Sequence, residues 1–104
     1  MIGVDVVSIE RIQVKDSFIK MILTKEELQE YTNLQTKKQK QYFLASHFAS
    51  KEAIYKATND PNYLAYTILH HENGAPYVLN HPEIQISISH DAGVAIAMVL
   101  IQSR

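Results

Sequence analysis

Residues 36–58, TKKQKQYFLASHFASKEAIYKAT, contain neither glycine nor proline and consist almost wholly of residues that favour helix. Asn59-Asp60-Pro61-Asn62 then stops the run. One face of this helix carries Ala45, Phe48 and Ala49, small and apolar groups suited to lying on a sheet. The sheet is legible on both sides of it. Ile2 to Ile9 is β-branched and apolar apart from Asp5, and reads as a strand. Glu10 to Leu23 reads as helix, and Thr24 with Glu27 forms a capping-box signature for a short helix through Tyr31. Beyond the long helix, Leu64 to His71 reads as a strand. Asn73-Gly74 turns it into Pro76 to Leu79, giving a hairpin, and Asn80-His81-Pro82 turns again. Ile84, Ile86 and Ile88 alternate with Gln85, Ser87 and Ser89, the pattern of a half-buried strand. A turn over His90-Asp91-Ala92-Gly93 leads into VAIAMVLI, residues 94–101, apolar on both faces. Such a strand needs cover twice, from a helix on one side and a neighbouring subunit on the other. The order predicts an α+β fold, a mostly antiparallel sheet packed against one long helix and shorter ones.

The length of 104 residues fits a single domain spanning 1–104. With 46% hydrophobic residues the chain is no disordered segment, and with no cysteine it has no disulfide scaffold, Cys-based zinc site or thiol chemistry. The formal net charge of −1 speaks against a generally basic nucleic-acid binder. That average hides a layout: residues 1–56 carry nine basic and seven acidic side chains, and residues 57–104 carry one and four. An anionic ligand is therefore expected to meet the first half, above all Lys37 to Lys56. The first apolar stretch lacks a basic leader and is interrupted by Asp5, unlike a signal peptide. The apolar run Gly93 to Ile101 has nine residues, against the roughly twenty that a membrane span requires. No membrane association and a cytoplasmic location are the expectation.

Few residues stand out as chemical. Asp5 within an apolar strand needs a partner, a metal or a place at a solvated rim. Glu52 and Lys56 have the spacing of an ordinary i,i+4 surface pair. The apolar neighbours of Glu52 instead turn it toward the sheet. Two carboxylates from different elements are too few for a calcium cage, but they suit magnesium, which keeps waters and takes phosphate oxygens as further ligands. His90 closes an alternating strand at a sheet rim. His70 and His71 face opposite ways, and no His-x-x-x-His spacing supports zinc. Three scattered glycines cannot build a phosphate loop. Lys37, Lys38 and Lys40 form either a solvated helix end or a docking surface for phosphate or an acidic protein.

Together these residues resemble a known family. Residues 2–12, IGVDVVSIERI, look like the first signature of holo-acyl-carrier-protein synthase, the short class of phosphopantetheinyl transferases. Residues 48–57, FASKEAIYKA, look like its second, and NGAP (73–76) and ISISHD (86–91) like two further blocks. The resemblance implies transfer of phosphopantetheine from coenzyme A to a serine of apo-acyl carrier protein, with release of adenosine 3′,5′-bisphosphate, in fatty-acid biosynthesis. It implies Mg²⁺ on Asp5 and Glu52 and charge neutralisation by Lys56. It implies contacts to coenzyme A from Lys38, His47, Lys56, Asn73, Gly74, Pro76 and His90, and carrier-protein docking at Arg11 and the helix after it. It also implies a homotrimer with sites between subunits.

The pattern is departed from in places. His47 and Gln39 stand at commonly basic positions, Ala75 replaces a usual lysine, and Ser17 and Met21 stand where arginine is common. Lys15, Lys20 and Lys25 offer compensation toward an acidic partner. A rival reading follows from these losses: a non-catalytic module of the same fold that binds nucleotide or carrier protein.

Overall fold

The structure is a computed structural model that describes residues 1–102. Strand β1 (Ile2–Ser8) is followed by a 3-10 turn at Ile9–Arg11 and by helices α1 (Asp16–Ile22), α2 (Lys25–Thr32) and α3 (Lys37–Thr58). A second 3-10 turn, Tyr63–Ala65, precedes β2 (Ile68–His70), β3 (Pro76–Val78), β4 (Ile84–Asp91) and β5 (Val94–Ile101). Three strands form an antiparallel sheet in the order β1-β5-β4, and β2 pairs with β3 as a separate ribbon. The α+β reading holds, with α3 lying across the inner face of the larger sheet.

Helix α3 runs where expected. Thr36 caps it, accepting from the Gln39 amide at 3.0 Å, and Asn59 ends it with a left-handed φ of 66°. Its Ala45, Ala49 and Ala53 are fully buried, as are Ala95 and Ala97 of β5. Small residues on both partners let helix and sheet approach closely. The closest approach is at Gly3, where a Cβ would stand 1.9 Å from the Ala53 carbonyl oxygen. The Thr24–Glu27 capping box forms as read.

Three expectations need correction. Residues 10–15 form no α-helix, only the end of the 3-10 turn, because the Gln41 side-chain amide donates to the carbonyls of Glu10 and Ile12 while Ile12 enters the core. A helix would have used those carbonyls internally. The strand expected from Leu64 begins only at Ile68, because the carbonyls of Tyr63 and Tyr66 turn inward to the Lys51 ammonium. The hairpin that follows has a loop over 71–75, closed by His71 N–H to Ala75 O at 2.9 Å with Gly74 at φ 90°. Lastly, β4 continues through His90 to Asp91, and the turn is Ala92-Gly93 alone, with φ of 52° and 80°. Two positive φ values make it the primed turn that matches strand twist.

The outer face of the sheet is apolar. Ile2, Val4 and Val6 of β1 sit opposite Leu100, Met98 and Ile96 of β5, and all except half-buried Leu100 are exposed. The doubly apolar β5 thus has its helix on one side and an open hydrophobic surface on the other.

Replacing Gly3 by alanine forces a methyl group onto the backbone of α3, so the helix must lift. We expect Gly3→Ala to lower unfolding free energy by about 3 kcal/mol. Urea denaturation measures this, and a change within experimental error would refute the close approach.

Candidate functional site

Alternation along β1 turns Gly3, Asp5 and Val7 toward α3 and Ile2, Val4 and Val6 outward. Asp5 therefore sits at the rim of the helix–sheet interface, its side chain 15% exposed. Glu52 and Lys56 reach the same rim from α3. They do not form the i,i+4 pair their spacing allows. Lys56 crosses to β1, donating to Asp5 Oδ1 at 3.0 Å and to the Val4 carbonyl at 3.1 Å. Glu52 is half-buried and accepts a hydrogen bond from the Tyr63 hydroxyl. Tyr63 is pushed up to about 12, first by burial, then by its bond to Glu52 and the negative charges of Glu52 and Asp5. It therefore stays a proton donor near neutral pH, and it feels both carboxylates.

The donor set is two carboxylates from facing elements, with no third acidic or histidine ligand among the described residues. Hard oxygen donors in that number suit a magnesium ion that keeps water and takes phosphate oxygens. Asp5 already attracts a cation there, the Lys56 ammonium.

Beside this rim lies a buried network that sequence reading missed. The Lys51 side chain has no solvent exposure, and its ammonium donates to Glu27 Oε1 (2.8 Å) and to the carbonyls of Ile22, Tyr63 and Tyr66 at 2.7–2.9 Å. Burial pulls the ammonium down from its ordinary value and the Glu27 charge pulls it back. The four oxygen acceptors around Nζ favour the charged form against that burial. Glu27 Oε2 accepts the Ile68 amide at 2.8 Å. The only sequence hint was a lysine, Lys51, beside residues read as a packing face.

At the other end of α3 the structure gathers a second group. Lys38, Gln39, Tyr42 and His90 line a hollow with Ile9 and Thr36, and the rings of Tyr42 and His90 are 4.4 Å apart. Gln39 and Tyr42 also line an adjoining cleft of about 320 Å³, together with His47, His70, Gly74 and Pro76. Asn73 lines neither. Its side chain accepts from the Ala75 amide and shapes the turn that presents Gly74 and Pro76. His47 offers the cleft only an edge. It is 1% exposed, stacked on Phe43 at 3.9 Å, with Nδ1 2.9 Å from the Phe43 carbonyl. Burial lowers its pKa, outweighing Glu27 and the backbone carbonyls that raise it. Burial thus disfavours the charged imidazolium, and the cleft wall lacks a permanent cation at this position.

Lys38 and Glu52 stand fourteen positions apart on α3, about 21 Å of helix. Between them the helix lies directly on the sheet through Ala45 and Ala49. One chain thus carries two separate groups of candidate site residues.

Residues 1–99 match the 4′-phosphopantetheinyl transferase superfamily. The chain is 38% identical to a holo-[acyl-carrier-protein] synthase of Onion yellows phytoplasma, with 97% of this chain and 92% of that protein aligned. It is 37% identical to the synthase of Enterococcus faecalis, covering 99% and 97%. Its fold matches the Bacillus anthracis holo-(acyl-carrier-protein) synthase in complex with CoA (3′,5′-ADP), with a TM-score of 0.86, 30% identity and coverage of 99% and 96%. It also matches the Helicobacter pylori enzyme in complex with coenzyme A, with a TM-score of 0.79, 31% identity and coverage of 98% and 100%.

The two lysines of the second block should differ sharply in stability measurements. Lys51→Met leaves Glu27 buried without its counterion and should cost about 3–5 kcal/mol. Lys56→Met, at an exposed pair, should cost under about 1 kcal/mol. Chemical denaturation of both variants checks the contrast. His47 generates a pH effect. Its folded pKa lies below its ordinary value of 6.5, so the unfolded chain binds the extra proton first. Stability should fall as pH drops below about 6.5, until the folded-state histidine also titrates. In His47→Gln that part of the pH slope should vanish, as denaturation midpoints across the window will show.

Proposed function

The chain belongs to the holo-[acyl-carrier-protein] synthase family of the 4′-phosphopantetheinyl transferase superfamily, and from that premise we propose how its two groups of side chains divide the reaction. The substrates are coenzyme A and apo-acyl carrier protein. The carrier serine oxygen forms a bond to the β-phosphorus of coenzyme A. The bond from that phosphorus to the bridging oxygen breaks, adenosine 3′,5′-bisphosphate leaves with the electron pair, and the serine proton passes to a base at the site. Mg²⁺, when held by Asp5 and Glu52, neutralises the pyrophosphate charge that builds up on the leaving group.

The chain's own residues do the rest. Asp5 of β1 and Glu52 of α3 would hold the ion. Lys56, already within bonding distance of Asp5, adds a second positive charge against the pyrophosphate. Lys38 and His90 line one hollow, and His47, Gly74 and Pro76 the adjoining cleft; these take the nucleotide end, with Asn73 setting the turn. Arg11 and α1 face the carrier protein.

The observation that carries the reading is that Asp5 of β1 and Glu52 and Lys56 of α3 share one rim, with Lys56 bonded to Asp5, and with Tyr63, bonded to Glu52, in the field of both carboxylates. The 21 Å of helix between this rim and Lys38, noted above, exceeds what one nucleotide spans, which favours a site completed by a second chain. The exposed apolar face of β1 and β5 supplies a surface for that association, in keeping with a homotrimer. The intact carboxylate pair favours an enzyme over a binding-only module. No helix among the described residues is long and apolar enough to cross a membrane.

Incubation with coenzyme A, Mg²⁺ and apo-acyl carrier protein should add one phosphopantetheine mass to the carrier, read by mass spectrometry. Asp5→Ala and Glu52→Ala should each slow that gain about a hundredfold or more while leaving the fold intact. Undiminished turnover in both variants would refute the metal site. Coenzyme A binding without any mass gain would indicate the binding-only module.

A further inference from the structure

Tyr63 is held by three residues that follow one another on a single face of α3. Its ring stands edge-on to Phe48 at 6.1 Å, its carbonyl accepts from the Lys51 ammonium at 2.9 Å, and its hydroxyl donates to Glu52. Positions 48, 51 and 52 stand in the i, i+3, i+4 relation that places side chains together. The loop carrying Tyr63 is fastened at further points. Asp60 accepts from the Asn62 amide at 3.0 Å and from the Tyr66 hydroxyl at 3.1 Å, and the Tyr66 carbonyl also bonds Lys51. The tyrosine is therefore presented to Glu52 from a braced loop.

A half-buried glutamate at a rim has several rotatable bonds, and ordering them on binding a cation costs affinity. A donor fixed on one carboxylate oxygen removes much of that cost. Each carboxylate oxygen carries two lone pairs, so acceptance from Tyr63 leaves room for a cation on the same group. We infer that Tyr63 is a positioning residue: its hydroxyl sets the orientation in which Glu52, with Asp5, receives a divalent cation. This rests on the metal reading given above and deepens it. Tyr63 acts through Glu52 and does not touch the reacting atoms, so its removal alters metal affinity more than the rate at saturation.

The test uses the full chain with coenzyme A, and Mn²⁺ as a paramagnetic probe read by electron paramagnetic resonance. Tyr63→Phe keeps the ring against Phe48 and the carbonyl on Lys51, and removes only the hydroxyl. We expect about tenfold weaker Mn²⁺ binding, the usual scale for losing a residue that orients a metal ligand. In the transfer assay the Mg²⁺ concentration for half-maximal rate should rise by a similar factor, with kcat at saturating Mg²⁺ within about twofold of the parent. Unchanged or tighter Mn²⁺ binding in Tyr63→Phe would overturn the inference. So would an equal loss in Phe48→Leu, which disturbs the ring packing and leaves the hydroxyl, because the effect would then belong to loop packing. No Mn²⁺ binding by the unsubstituted protein would overturn both this inference and the metal site it rests on.

Discussion

The Lys51–Glu27 ion pair ties together segments that share no ladder of backbone hydrogen bonds. Lys51 belongs to α3, yet its ammonium reaches the end of α1 through Ile22, the first turn of α2 through Glu27, and the loop after α3 through Tyr63 and Tyr66. Glu27 extends the reach to the start of β2 through the Ile68 amide while its other oxygen still caps its own helix at Thr24. Removing two charges from water is costly, and such a pair persists only where the remaining donors and acceptors are satisfied. Here every one is. Apolar residues of the same volume could fill this space, but they would not specify which carbonyls meet at one point. The pair thereby determines the path of the loop after α3, and that loop carries Tyr63 to Glu52.

What could be read in advance follows from the range of the forces involved. Helix α3, both capping boxes and the alternation of β4 depend on neighbours a few residues apart, so composition and spacing reveal them. Thr36 with Gln39 repeats the Thr24–Glu27 device, with glutamine in place of glutamate. The misread segments are those whose backbone groups answer to distant side chains. Gln41 claims the carbonyls that a helix over 10–15 would need, and Lys51 claims those that an early β2 would need. Local propensity carries no information about either.

The same division applies to the site. Asp5 was conspicuous as a charge within an apolar strand, and Glu52 as a carboxylate on a packing face, because each violated its local pattern. Tyr63, Lys51 and Glu27 violate nothing locally: a tyrosine in a loop and charged residues on helices are commonplace. Their importance arises only when the fold brings them to one another. The second block of sequence thus contains two lysines of opposite character, Lys51 enclosed and structural, Lys56 open to solvent and turned toward Asp5.

Gly3 has a meaning beyond packing. With hydrogen in place of a side chain, it lets the backbone of β1 come up against that of α3 at Ala53, the residue after Glu52. Asp5 lies two residues along the same strand face. The spacing between the two carboxylates is therefore gauged by contact between two backbones, the least compressible parts of the molecule, with no flexible side chain in between. Any larger residue at this position would act as a shim, moving the Asp5 and Glu52 carboxylates apart without altering either side chain.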